Sequence, residues 1–162
     1  MSEEGFAQPT AEHKQLQENV GTWNVECQYF WNPAEGPMET KGVETVEMLG
    51  EFWNVTRFET SIQGKPLIGR ATIGYHPDEK KWVSTWVDSL NPRLYHFTGR
   101  YDEDGKVLTM RAKAPHPATG QMVNWRTTDE MLGPDEKRFE MFIGGPEGGE
   151  FKIASYHYKR AK

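Results

Sequence analysis

Charged side chains interrupt several stretches of this sequence that otherwise alternate as β-strands do. Asp88 closes the stretch KWVSTWVD, Arg70 lies in IGRATIGY, and Arg126 lies in NWRTTDE. A charge that faces a protein interior must be paired or must meet a ligand, because an unpaired buried charge is costly. An inward Arg70 or Arg126 opposite Asp88 or Glu44 is therefore a candidate anchor for a polar ligand group.

Histidine adds a possible acid–base group. His96 stands in the middle of RLYHFTGRY and His157 lies in the last strand-like segment, whereas His76 and His116 adjoin prolines in turns. If Asp88, His96 and Arg126 met in one pocket, they would supply a base, an acid and an anion anchor for catalysis without a cofactor.

Familiar catalytic and metal-binding motifs do not match. GGPEGGE lacks the Gly-Lys-Ser/Thr of a phosphate loop, no pair of histidines has zinc-finger or helix spacing, and no G-x-S-x-G elbow occurs. Cys27, the sole cysteine, lies on the apolar face of the first strand-like segment, and no neighbour in sequence would activate its thiolate, so we expect a buried structural thiol. We therefore predict no metal and no cofactor.

Length and charge set the general class. The chain has 162 residues and a formal net charge of −5, which favours one domain over residues 1–162 with a flexible tail at 1–10. Its scattered basic residues disfavour nucleic acid and membrane surfaces as partners. The acidic opening segment is no secretory signal and no stretch is long and apolar enough to span a membrane, so we expect a cytoplasmic protein.

The elements predicted are one short helix followed by strands. PTAEHKQLQENVG reads as a helix with Thr10 as its N-cap and Gly21 after its end. The remaining chain alternates between strand patterns and turn signals such as Asp-Gly. The predicted strands are Thr22–Phe30, Lys41–Leu49, Phe52–Thr60, Pro66–Tyr75, Lys80–Asp88, Arg93–Tyr101, Lys106–Ala114, Gln121–Met131, Glu136–Ile143 and Glu150–Lys159.

About ten consecutive antiparallel strands must protect their edges. Closing into an up-and-down barrel removes the edges, and a two-sheet sandwich is the alternative. We predict an all-β closed antiparallel barrel with the short N-terminal helix capping one end.

The alternation also indicates which residues face inward. Trp23, Val25, Cys27 and Tyr29 share the apolar face of the first strand. In KWVSTWVDS both faces hold apolar residues, and we predict that the face with the tryptophans is inside, because a ligand cavity accepts large rings and some polar groups. The candidate ligand-binding residues are Trp23, Arg70, Trp82, Trp86, Asp88, His96 and Arg126.

A G-x-W at the start of the first strand resembles the signature of the calycins, the superfamily of lipocalins and fatty-acid-binding proteins. The chain is similar more closely to domain-of-unknown-function family 1579, through EHKQLQENVGTW, KGVETVEMLGEFW, GYHPDEKKWVSTWVDS and DEDGKVLTM. The resemblance implies a calycin-like barrel but no activity. By analogy with fatty-acid-binding proteins, an inward arginine would bind a ligand carboxylate.

The same resemblance raises haem as an alternative cofactor. Nitrobindins are haem-binding calycin relatives with an axial histidine late in the barrel, a position that His157 or, less directly, His96 would take. The glycine-rich pattern that follows the nitrobindin tryptophan is replaced here by WNVECQ, which disfavours haem.

Three functions remain open at this point. The first is binding of a small hydrophobic or amphipathic molecule inside the barrel. The second is a cofactor-free isomerase, lyase or cyclase built on Asp88, His96 and Arg126. The third is a filled barrel without a cavity above about 300 Å³, acting as an interaction module, with a homodimer formed through outward aromatics such as Trp53 or Tyr95.

Overall fold

The computed structural model describes residues 5–32, 34–144 and 148–162. Within them the chain forms ten strands, and every predicted strand is confirmed with ends shifted by at most three residues. The strands are β1 (Gly21–Tyr29), β2 (Met38–Leu49), β3 (Trp53–Ile62), β4 (Lys65–His76), β5 (Lys81–Asp88), β6 (Asn91–Tyr101), β7 (Val107–Pro115), β8 (Met122–Gly133), β9 (Glu136–Gly144) and β10 (Glu150–Arg160).

The strands close into an antiparallel up-and-down barrel, as predicted. Each strand pairs with its neighbour in sequence, and β10 pairs with β1 to complete the ring. The closing register places Trp23 opposite Arg160 and Tyr29 opposite Ala154. A two-sheet sandwich is therefore excluded.

The wall is least regular between β6 and β7. The described pairing between them is limited to Thr98–Tyr101 against Leu108–Arg111. Beyond this segment, the Tyr95 hydroxyl donates to the Pro115 carbonyl at 3.3 Å. The Trp125 indole of β8 donates to the Ala114 carbonyl of β7 at 3.3 Å. The Tyr95 hydroxyl therefore joins β6 to β7 beyond their paired segment, and the Trp125 indole adds a bond from β8 to β7.

A short helix covers the other end. An α-helix (α1, Ala11–Gln15) continues as a 3-10 helix (Leu16–Asn19), and Thr10 is its N-cap as predicted. The main-chain N–H of Thr10 donates to His13 Nδ1 at 2.9 Å, which leaves His13 Nε2–H to donate to the Tyr75 carbonyl of β4 at 2.9 Å. Neither of these helices is long and apolar enough to cross a membrane.

The first strand begins at a tightly packed corner. Gly21 has a φ of +134°, and a Cβ there would lie 2.7 Å from Arg160 Nη1, so the position requires glycine. Trp23 is 0% exposed, and its indole donates to the Asn19 carbonyl at 2.9 Å. The Arg160 guanidinium lies 4.2 Å from the Trp23 ring and donates to the Val20 carbonyl at 2.6 Å. The G-x-W stretch thus joins the helix, the first strand and the last strand.

Residues 5–10 of the predicted flexible tail at 1–10 belong to the part of the chain that the structure describes. Residues 1–4 lie outside the described part of the chain. Residues 5–8 are exposed, whereas Thr10 belongs to the helix cap. Regular structure in the described chain therefore begins with this cap, at the last residue of the predicted tail.

Candidate functional site

The barrel encloses a cavity of about 420 Å³ to which every strand contributes. Aromatic and aliphatic side chains make up most of its wall, and they include Tyr29, Val46, Phe58, Leu67, Ile73, Trp82, Trp86, Tyr95, Phe97, Leu108, Met110, Trp125, Phe139, Met141 and Tyr156. Its volume exceeds the roughly 300 Å³ at the lower end of ligand pockets. The barrel is therefore not filled by its own side chains.

The tryptophan face of β5 is the inner face, as predicted. Trp82, Ser84, Trp86 and Asp88 all line the cavity. The Trp86 ring lies directly over Gly69 of β4, where a Cβ would overlap the ring. The glycine therefore leaves space that lets this large side chain lie flat along the wall.

Asp88 occupies the end of β5 away from the helix. Its Oδ2 accepts a hydrogen bond from the Trp86 indole at 2.9 Å, and its Oδ1 accepts one from the Leu90 N–H at 2.9 Å. Both oxygens are therefore engaged in positioning Trp86 and the turn into β6.

The inward orientation expected for Arg70, His96 and Arg126 is corrected by the structure. Arg70 and His96 are exposed, and none of the three lines the cavity. Arg126 forms an ion pair with Glu150 at 2.7 Å on the outer surface. Each stands one position away from inward residues, and side chains alternate between faces along a strand. Asp88, His96 and Arg126 consequently do not meet in one pocket.

The surroundings of Tyr95 and Trp23 also differ from those expected. Tyr95, considered above as an outward dimer contact, is buried in the interior, whereas Trp53 is partly exposed on the outside. Trp23 is buried as predicted but lies behind Lys137 and does not line the cavity itself. Its contribution is to the closed end of the barrel.

The histidines considered as haem ligands do not fit a haem inside the barrel. His157 Nε2 lies 2.6 Å from Glu136 Oε2, and the His157 side chain does not line the cavity. His96 is exposed. In the part of the chain that the structure describes, no three His, Cys, Asp or Glu side chains are grouped to hold a metal ion either.

Sequence reasoning considered Glu44 as an inward charge but missed Asp129 and Lys137, and the three form a charged cluster on the cavity wall. Lys137 Nζ lies 3.5 Å from Glu44 Oε2, and the two side chains are 7% and 11% exposed. The same Nζ lies 4.8 Å from the Trp23 ring and 4.6 Å from the Tyr158 ring. The cluster thus lies at the helix-covered end of the cavity.

Burial governs the protonation of this cluster. The pKa of Glu44 is raised chiefly by burial, against the opposing charge of Lys137. Burial likewise raises the pKa of Asp129, and the Lys137 charge lowers it in part. Within the described residues the Asp129 carboxyl has no hydrogen-bond or ion-pair partner. It is partly accessible, and because it lines the cavity its accessible surface faces the interior.

The strand patterns contain the signal for these residues. Lys137 shares its face of β9 with Phe139, Met141 and Ile143, which is an apolar series with period two. Asp129 shares its face of β8 with Trp125 in the same way. An uninterrupted count along each strand therefore places both charges inside.

Asn54 adds an unsatisfied acceptor to the cavity wall. Its side chain is 0% exposed and its Nδ2 donates to the Leu16 carbonyl at 3.1 Å. That bond fixes the orientation of the amide, and its Oδ1 has no hydrogen-bond partner among the described residues. A buried acceptor without a donor is costly, and a ligand or water can supply one.

The end of the cavity opposite the helix is mainly apolar, and its polar side chains are already hydrogen-bonded, Asp88 to Trp86 and Leu90 and Asn91 to the Tyr95 hydroxyl. Trp31, Leu90 and Pro117 line it, and Trp31 and Leu90 are 54% and 47% exposed. The cavity therefore runs from a mainly apolar opening to a charged closed end.

Comparison with solved structures supports the fold. The structure of Rv2717c from M. tuberculosis aligns over 96% of this chain and 100% of that chain, with a TM-score of 0.69 and 12% sequence identity. A redesigned β-barrel aligns over the same shares at 12% identity, but its TM-score of 0.49 supports no argument. At such low identity the first likeness shows a shared fold only.

Comparison at the level of sequence identifies the family. No curated protein matches this chain significantly. A family model described as "Protein of unknown function (DUF1579)" matches residues 8–160, which is nearly the whole chain. The resemblance to this family seen in the sequence is thereby confirmed, and this chain belongs to the DUF1579 family.

Proposed function

We propose that this protein binds a small, mostly apolar molecule in the interior of its barrel. The observation that carries the proposal is the cavity of about 420 Å³ with a largely apolar, aromatic-rich wall. Pockets that take small molecules typically measure about 300–1,000 Å³ and have a few polar groups on an apolar wall. A small barrel that serves only as a scaffold would be packed by its own side chains.

The polarity of the two ends supports an amphipathic ligand. The opening is formed by exposed apolar side chains such as Trp31 and Leu90, and the closed end holds the charged cluster. A molecule with an apolar body and one polar group would enter with the polar group first and bury its body against the rings.

The cofactor-free enzyme has less support. Asp88 uses both carboxylate oxygens within the protein, and His96 and Arg126 do not face the cavity. General acid–base catalysis needs its groups within hydrogen-bond reach of one substrate. The three residues proposed for catalysis do not meet that requirement.

A fluorescence titration tests the binding function. N-phenyl-1-naphthylamine is neutral and apolar and becomes fluorescent in an apolar environment, so we expect saturable binding by the purified protein. Ser84→Phe fills the cavity from β5, whereas Val87→Phe adds the same ring on the exposed face of that strand. We expect at least about tenfold weaker binding for the first and no change for the second.

Thermal unfolding of both variants serves as the folding control. Absence of saturable binding to the wild type, or equal binding by a folded Ser84→Phe variant, would contradict a cavity-binding function.

A further inference from the structure

We propose that the polar group of the ligand is a protonated amine, held at the closed end of the cavity by Asp129 with Glu44 nearby. This inference rests on the proposed binding function and adds the chemical class of the ligand. It follows from the balance of charge in the cavity, from the groups already paired there, and from an acceptor that lacks a donor.

The cavity wall carries more acids than bases at its closed end, where Glu18 of the covering 3-10 helix also lines it. Glu44 and Asp129 face Lys137, which is the sole Lys, Arg or His among the cavity-lining residues of the described chain. Lys137 is already paired with Glu44 at 3.5 Å and packed against two aromatic rings. The Asp129 carboxyl has no such partner within the described residues. A ligand cation would favour the ionised form of Asp129 and neutralise its charge.

A ligand carboxylate fits this end poorly. It would have to approach Asp129 and Glu44, whose ionised forms repel it, and Lys137 is already paired with Glu44 at 3.5 Å. The guanidinium groups expected to bind a carboxylate, Arg70 and Arg126, lie outside the cavity. The analogy with fatty-acid-binding proteins therefore does not extend to the ligand's polar group.

Two further features favour a hydrogen-bond donor with positive charge. The unpartnered Oδ1 of Asn54 can accept from an ammonium group. The aromatic residues Trp82 and Tyr101 line the cavity, and the faces of such rings attract cations. The hydroxyls of Tyr101 and Tyr158 can donate or accept, so they suit several polar groups and do not decide between them.

Three ligands with one apolar body test the inference by isothermal titration calorimetry at pH 7. They are 1-naphthaleneethylamine, 1-naphthaleneethanol and 1-naphthaleneacetic acid, which share the ring of the fluorescent probe above. We expect the amine to bind about tenfold to a hundredfold more tightly than the alcohol, as a charge-assisted hydrogen bond implies. The acid should bind more weakly than the alcohol.

Matched variants then locate the effect. Asp129→Asn should remove the preference for the amine and leave binding of the alcohol intact, which also shows that the cavity is folded. Glu130→Gln removes the same charge one position away, on the face of β8 that does not line the cavity, and should change neither affinity.

The outcomes separate the two proposals. If the alcohol or the acid binds the wild type as tightly as the amine, or if the folded Asp129→Asn variant retains the preference, the amine inference is overturned and the binding cavity stands. If neither the three ligands nor N-phenyl-1-naphthylamine binds, the binding function itself is refuted. Because the wild-type comparison needs no variant, the test does not depend on the stability of Asp129→Asn.

Discussion

Replacing Lys137 by Met tests the charged cluster through stability alone. Methionine keeps an unbranched stem against Trp23 and Tyr158 but lacks the ammonium that lies 3.5 Å from Glu44. Glu44 must then stay ionised without a partner or take up a proton. Removing one partner of a buried ion pair typically costs about 3–5 kcal/mol.

Proton uptake limits that cost. Holding a carboxyl with the ordinary pKa of 4.5 neutral at pH 7 costs about 3.4 kcal/mol, which is two and a half pH units at about 1.36 kcal/mol each. Burial already raises the pKa of Glu44 in the wild type, so part of this cost is present before the substitution. We therefore expect Lys137→Met to lower the free energy of unfolding by about 2–3 kcal/mol at pH 7.

The expected loss depends on pH with a definite sign. The substitution raises the folded-state pKa of Glu44 further above its unfolded value. An acid with a raised folded-state pKa favours folding below the unfolded pKa, and this contribution is lost as pH rises through the folded-state pKa. At pH 5, half a unit above the ordinary value of 4.5, the same reasoning limits the loss to about 0.7 kcal/mol.

Urea unfolding followed by tryptophan fluorescence at pH 5 and pH 7 measures both quantities. Lys152→Met removes a partly exposed lysine paired with Glu140 on the surface and should cost less than about 1 kcal/mol. Adding Glu44→Gln to Lys137→Met should restore at least half of the loss at pH 7. A loss below about 1 kcal/mol at pH 7, or equal losses at both pH values, would refute the buried cluster.

Three other predictions concern packing and reactivity. Gly69→Ala should displace the Trp86 ring and lower the free energy of unfolding by about 1–3 kcal/mol. The control Gly133→Ala, where a Cβ meets nothing within 4 Å, should lower it by less than about 1 kcal/mol. Equal losses for the two variants in urea unfolding would contradict this prediction. Arg160→Ala loses hydrogen bonds to three main-chain carbonyls and should lower the free energy of unfolding by about 2 kcal/mol. An unchanged melting temperature would show that these hydrogen bonds do not stabilise the closed end of the barrel. Burial raises the pKa of the Cys27 thiol from 9.0 to about 11. Its reaction with Ellman's reagent at pH 8 should therefore be about a hundredfold slower than that of an unperturbed thiol, and the rate should recover in urea. Fast reaction of the native protein would show that the thiol is not buried.

The fold was predictable because its determinants are local. Alternation with period two and turn residues such as those of the Asp104–Gly105 hairpin locate the strands. Strand ends were less certain because pairing decides them. Pro92 suggests that β6 begins at Arg93, yet Asn91 pairs with Asp88 and the strand begins there.

The orientation of charged residues was predictable in some strands and not in others. Tyr95 and Phe97 flank His96 in β6, so a strict count places His96 outside. In β4 the inward positions beside Arg70 hold Gly69 and Ala71, which are too small to give an apolar signal.

The charged cluster depends on barrel closure. Glu44 and Lys137 are far apart in sequence and come together because β1 and β10 lie between their strands in the closed ring. The two sequence segments carry complementary charges, but nothing local to either segment indicates that they meet.

The closing pair of strands also bears on how the chain folds. The other pairings join sequence neighbours and can form as hairpins while the chain is being synthesised, but β1 meets β10 only when the last strand is available. Until then the growing sheet has two unpaired edges, and such edges favour association with other chains. Arg160 lies opposite Trp23 in the final register. Pairing of β10 with β1 therefore closes the barrel and covers the Trp23 side chain in the same step. A chain under synthesis therefore remains prone to aggregation until β10 has emerged from the ribosome, and a chaperone that shields sheet edges would act during that interval.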